Sequence, residues 1–276
     1  MKRIVRFLFL TVLLSVPWWW LSREYGGYGY ITLLMWTPAV AAVITLRTTG
    51  GSLSELGWRG AKWTWLFGSW LTVLIAVVLP TVVVWALSLV TFPDPDGLTA
   101  AAKLTAMART PVTSMLVWYV ALVAIAGMIR LAGPALGEEL GWRGFLTPEA
   151  TRRFGFGMGS ILTGLAWAFW HLPLVIGKVP PVAVLNFVLT IAGMSVAYSW
   201  FRLKSNSVWP PVIMHALHNA LLTSVVLKLS VPGAAADKWL DETGFALAIA
   251  GVIVAAVFLY LGRGLGSPQE STGLEP

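Results

Sequence analysis

Two adjacent carboxylates, Glu138 and Glu139, stand in the segment GEELGWRG, with Arg143 four residues beyond the second and a long apolar run at 117–133 just before them. At a bilayer centre an ionised side chain costs about 2.5–3.5 kcal/mol on insertion scales, so charges retained there usually pair or line a wet cavity. The plainest reading places both carboxylates among headgroups at a helix end, Glu139 closing an i,i+4 ion pair with Arg143. The histidines sharpen the case. The chain has three, His171, His215 and His218, all inside or at the edge of apolar runs. His215 and Asn219 lie four residues apart in MHALHNALL and share one helix face, while His218 points partly away. His171 precedes Pro173 on another run, where proline disturbs the backbone ladder and can open a polar cavity. A carboxylate, two imidazoles and a carboxamide can hold and activate one water. In such a site Glu138 is the general base, His171 holds the water or shuttles a proton, and His215 and Asn219 donate to a developing oxyanion. The same Glu138, His171 and His215 form an alternative zinc ligand set, two histidines and a carboxylate, although no H-E-x-x-H helix is present.

The elements that must position these groups are membrane helices. The chain is 57% hydrophobic and 11% charged, against about 25% charged for an ordinary soluble domain. Its fold class is therefore all-α, a polytopic membrane protein. About 20 mostly apolar residues cross the hydrocarbon layer, and eight runs approach that length, near 4–21, 27–47, 63–92, 112–136, 158–177, 181–201, 208–230 and 244–262. Tryptophans cluster at run ends, as at Trp18, Trp19, Trp20, Trp63, Trp65 and Trp209, which suits an interfacial belt. Most basic residues, among them Lys2, Arg3, Arg6, Arg47, Arg59, Lys62, Arg152, Arg153, Arg202 and Lys204, fall on one side of the alternating spans. The positive-inside rule then places both termini in the cytoplasm. The first run has a basic start but no A-x-A-like site after it and reads as an uncleaved first helix. The formal charge of +7 is scattered singly between apolar runs, which reads as topology rather than as a nucleic-acid surface. With no cysteine there is neither a disulfide framework nor thiolate ligation. No internal repeat stands out, and the connections 93–110 and 232–243 and the tail 264–276 are too short to fold alone, so 1–276 reads as one transmembrane domain.

Three short motifs resemble those of the CPBP family, the CAAX-protease and bacteriocin-processing intramembrane proteases, also called Abi or type II CAAX-protease-like proteins. E-E-x-x-x-R stands as Glu138-Glu139-Leu140-Gly141-Trp142-Arg143, and H-x-x-x-N as His215-Ala216-Leu217-His218-Asn219. F-x-x-x-H stands as Trp167-Ala168-Phe169-Trp170-His171, with tryptophan in the first place, a departure that bears on a packing contact. Each motif alone is weak; their order, with 33 residues from Glu138 to His171 and 44 from His171 to His215, makes the joint match specific over a motif-bearing core at 112–225. The resemblance implies an eight-helix bundle and a glutamate-dependent intramembrane endopeptidase site of Glu138, His171, His215 and Asn219, with Glu139 and Arg143 supporting it. It implies a membrane-associated protein or peptide substrate, the lipid bilayer as surroundings, and residence in the plasma membrane of a prokaryote. Family members are often labelled metalloproteases, so zinc stays open at this stage. A non-catalytic bacteriocin self-immunity or peptide-binding protein is the main alternative. A proton-coupled transporter using buried Glu, His and Arg130 is the other, although no inverted repeat supports it.

A shared site makes a demand on geometry. Either the fourth helix continues to about Leu146 with Gly133-Pro134 bending it, or the fifth is strongly tilted; the expectation is a fourth helix that runs past Arg143 to near Pro148, with Glu138 within about 10 Å of His171, a distance already beyond one bridging water.

Overall fold

The computed structural model describes residues 1–265; residues 266–276, most of the expected tail, lie outside the described residues. Long apolar runs become helices because in lipid every backbone N–H and C=O must be satisfied within the segment. The chain begins with α1 (Lys2–Glu24), α2 (Tyr28–Thr48), a capped 3-10 turn (Leu53–Leu56) and α3 (Trp63–Ala86). A short α4 (Pro95–Thr105) precedes one long helical stretch. That stretch comprises α5 (Val112–Leu122), a π turn (Val123–Gly127), α6 (Met128–Glu139), a second π turn (Leu140–Leu146) and α7 (Thr147–Val175). Then come α8 (Pro181–Ser205) and α9 (Trp209–Leu221), which runs through a third π turn (Leu222–Val226) into the closing turn α10 (Leu227–Leu229). A small α11 (Ala234–Trp239) and α12 (Phe245–Leu261) complete the described chain.

The bundle is all-α and polytopic, with six helices among the described residues long and apolar enough to cross a membrane. About eight spans were expected. The runs expected near 112–136 and 158–177 lie in one stretch, Val112–Val175, in which two helices are joined across a kink, and the last run is the 17-residue α12. A 64-residue helix would measure about 96 Å, roughly three hydrocarbon thicknesses, so it must turn. It does so at Gly155, whose φ of 75° and ψ of 169° lie outside the helical region. A Cβ placed on Gly159 would stand 2.7 Å from the Thr151 nitrogen, although residues eight apart in a straight helix are about 12 Å apart. The chain has folded back on itself. Only glycine adopts the Gly155 conformation without strain, which costs other residues about 1–3 kcal/mol. Gly155→Val should therefore lower the unfolding temperature of the detergent-solubilised protein by several degrees, and an unchanged transition would contradict this assignment.

The helices differ in how much they bury. Two thirds (67%) of the apolar window of α8, and of the stretch begun by α9, is inside, against 17% for α1. These two helices form the centre. α8 packs on α7 and α12, α9 on α6 and α3, and α1 on α2. At the α8–α12 crossing the backbones of Gly193 and Gly251 approach so closely that a Cβ on Gly193 would overlap its partner, the small-residue contact that lets membrane helices pack by van der Waals attraction. Large apolar side chains such as Phe9, Val12, Val117, Trp118 and Ile253 face outward, as a lipid-facing surface requires.

Polar contacts tie each end of the bundle. At the end holding the N-terminus, Arg3 pairs with Glu149 at 2.8 Å and with Glu55 at 3.1 Å. Buried Arg202 there donates to the Glu55 carbonyl at 3.0 Å. At the other end Arg23 donates to the carbonyls of Pro173 and Ile176, joining α1 to the end of α7.

Candidate active site

The helix that carries Glu138 and Glu139 continues without a break past Arg143 and Pro148 up to Gly155. Its π turn at Leu140–Leu146 begins directly after the two carboxylates and contains Arg143. A π turn rotates the residues that follow it relative to a regular helix, and such turns recur at functional sites. Between this helix, α2, α7, α8 and α9 lies a cavity of about 160 Å³. Glu138, Trp167, His171, Tyr198, His215, His218, Asn219 and Glu242 all line it.

Glu138 is buried and accepts a hydrogen bond from Trp167 Nε1 at 2.6 Å through Oε2. His171 Nε2 stands 3.8 Å from the same oxygen, too far for a direct hydrogen bond but placed so that one water can touch both. His171 Nδ1 lies 3.0 Å from the Trp167 carbonyl. A carbonyl can only accept, so Nδ1 carries the proton, and in the neutral ring Nε2 offers its lone pair towards Glu138.

Glu139 is fully buried and has other partners. Its Oε1 accepts from Arg143 Nη1 and from His215 Nδ1, both at 2.9 Å. This carboxylate fixes the ring orientation of His215 and turns its Nε2 towards the cavity, the role outer-shell carboxylates play for functional histidines. The Arg143 guanidinium lies 4.1 Å from the Trp167 ring centroid and 4.8 Å from that of Tyr198. Cation–π attraction thus supplements its one ion pair.

Two groups were not singled out from the sequence. Glu242, in the loop between α11 and α12, meets His218 Nε2 at 3.0 Å. Its loop is held to α8 by Thr190 Oγ1 donating to the Glu242 carbonyl and Asn186 Nδ2 donating to that of Thr243. Tyr198 covers Arg143 from α8. Nothing local in LDETG marks Glu242, because its partner lies on another element. Trp167, read as an aromatic replacement, contributes a donor that phenylalanine lacks.

Burial would raise the Glu242 carboxyl, but the His218 hydrogen bond and the charges of the three histidines outweigh it and hold the group below its ordinary value. A carboxyl lowered in the folded state contributes stability above its unfolded pKa and loses it as pH falls through the lowered value. Glu242→Gln should therefore be less stable than the wild type near neutral pH. The gap should close below about pH 4, under the ordinary glutamate range. Thermal unfolding across pH tests this, and a gap of constant size would contradict it.

Zinc can be judged on donor placement. Among the described residues no three His, Asp or Glu side chains are grouped so as to hold one metal ion. Glu138 Oε2 is moreover engaged by Trp167. The donors as placed do not fit a three-ligand zinc site.

Fold and site together define an integral membrane protein of all-α class with a buried carboxylate–histidine cavity at its core. Residues 113–221 match the family model described as Type II CAAX prenyl endopeptidase Rce1-like, a segment that holds all three motifs. The chain is 32% identical over 133 residues to CAAX prenyl protease 2 of Methanococcus maripaludis, an alignment covering 45% of this chain and 45% of that relative. The chain thus spans about half the length of the curated relative it matches. Each finding is a likeness over part of the chain, and the family model's part is the one that holds the three motifs.

Proposed function

We propose that the protein is an intramembrane endopeptidase that hydrolyses a peptide bond of a membrane-associated protein or peptide in the Glu138–His171 cavity. One observation carries the reading: a buried carboxylate and the lone pair of an imidazole, 3.8 Å apart, face the same small cavity that His215 and Asn219 line. The likeness of residues 113–221 to a peptidase family supports it. A water touching Glu138 and His171 Nε2 gives a proton to the carboxylate while its oxygen attacks the scissile carbonyl carbon. The carbonyl electron pair moves to oxygen. The Asn219 amide stabilises that oxyanion, as does His215 in its imidazolium form, which donates from Nε2 while Nδ1 donates to Glu139. As the C–N bond breaks, the Glu138 carboxylic acid returns the proton to the leaving nitrogen. Glu139 and Arg143 hold His215 and the helix in place. The bundle sits in a prokaryotic plasma membrane with both termini cytoplasmic, an orientation resting on the distribution of basic residues.

The relative's name makes prenylated CAAX peptides the first substrate class to offer. Purified protein in liposomes should release a C-terminal fragment from such a peptide, detected by mass spectrometry, and should do so less well when the prenyl group is absent. Intact peptide in both cases, with folded protein present, would contradict this choice of substrate.

A further inference from the structure

We propose that Trp167 is the positioning residue for the Glu138 carboxylate, its indole N–H holding Oε2, the oxygen 3.8 Å from His171 Nε2, in place for the water that the two groups share. This rests on the endopeptidase reading for its chemistry but not for its geometry.

The two carboxylates of the site are supported differently. Glu139 has an arginine and a histidine on Oε1. Glu138 lies one residue away and shares neither partner; the bond from Trp167 Nε1, at 2.6 Å, is the close one it receives. A buried carboxylate needs donors to keep its charge, and for Glu138 that donor is the indole. The same residue organises the rest of the cavity. Its carbonyl takes the His171 Nδ1 proton, its ring carries the Arg143 guanidinium, and its edge meets the His215 ring at 5.2 Å. A phenylalanine at 167, the residue in the motif this segment resembles, could retain the carbonyl, the cation–π face and the ring contact. It would lose only the hydrogen bond to Glu138. The tryptophan therefore adds one specific function, aiming the Glu138 carboxylate at His171, and a misplacement of about 1 Å can cost around a hundredfold in rate.

The test pairs kinetics with a signal independent of activity. Trp167→Phe should lower kcat by roughly ten- to hundredfold, the range expected for a lost charge-assisted hydrogen bond, with KM changed by less than about twofold, as for a step-specific rather than a binding defect. In ¹⁵N–¹H spectra of the detergent-solubilised protein, the Trp167 indole resonance is assigned by its absence in Trp167→Phe or Trp167→Tyr. It should lie downfield in the wild type and move upfield in Glu138→Ala. A kcat within twofold of wild type in Trp167→Phe, or an indole resonance indifferent to Glu138→Ala, overturns the proposal. If cleavage survives Glu138→Ala, it is the endopeptidase assignment that fails, and the indole resonance still decides whether Trp167 holds the carboxylate.

Discussion

Glu138→Gln is expected to reduce peptide cleavage by about 10²–10⁴-fold, the share general acid–base catalysis contributes, while leaving the folded bundle intact. Glutamine matches glutamate in shape and keeps a carbonyl oxygen to accept the Trp167 N–H, so the 2.6 Å contact and the packing around it survive. What disappears is the ability to take a proton from water and return it to the leaving nitrogen. Unfolding temperature and detergent-extracted yield should stay near wild type, which separates a chemical defect from a folding defect. Retention of more than a tenth of the wild-type rate would remove Glu138 from the chemistry.

Arg143→Met is expected to have the largest effect on stability, about 3–5 kcal/mol, because breaking a buried ion pair leaves the other charge uncompensated. Glu139 and Arg143 are both fully buried, so water cannot replace the guanidinium. The contacts with Trp167 and Tyr198 are lost as well, at about 0.5–2 kcal/mol each. Converting the remaining carboxylate too, in Glu139→Gln/Arg143→Met, should recover much of the stability, since the unpaired charge is gone. It should not recover cleavage, because His215 loses the negative charge that supports its imidazolium form. Thermal unfolding of the single and double variants measures this. A single variant within 1 kcal/mol of wild type would show that the pair contributes little.

Some of this arrangement is legible in the sequence and some is not, for physical reasons. Hydrophobic runs of membrane-crossing length mark the helices because lipid allows few other structures. The four-residue interval places His215 and Asn219 on one face because a helix turns every 3.6 residues, and both line the cavity. Periodicity names a face but not the helix that packs opposite it. The meeting of Glu242 with His218, and of Trp167 with Glu138, therefore had no local sign. The turn at Gly155 was also hidden. The chain has 27 glycines, and only the backbone angles show which of them breaks a 64-residue helical stretch. His218, read as pointing partly away, lines the cavity and meets Glu242 from the loop between α11 and α12. Tryptophan at 167 looked like a change of packing, yet its extra nitrogen donates to a carboxylate 29 residues earlier in the chain.

The most direct test of proteolysis is to compare protein termini in native membranes carrying the wild type, Glu138→Gln or His171→Ala at matched abundance. Wild-type membranes should contain protein termini that are absent from both variants, and those termini would name the substrates. Identical sets of termini in all three membranes, with each protein folded and present at equal levels, would contradict intramembrane proteolysis by this site.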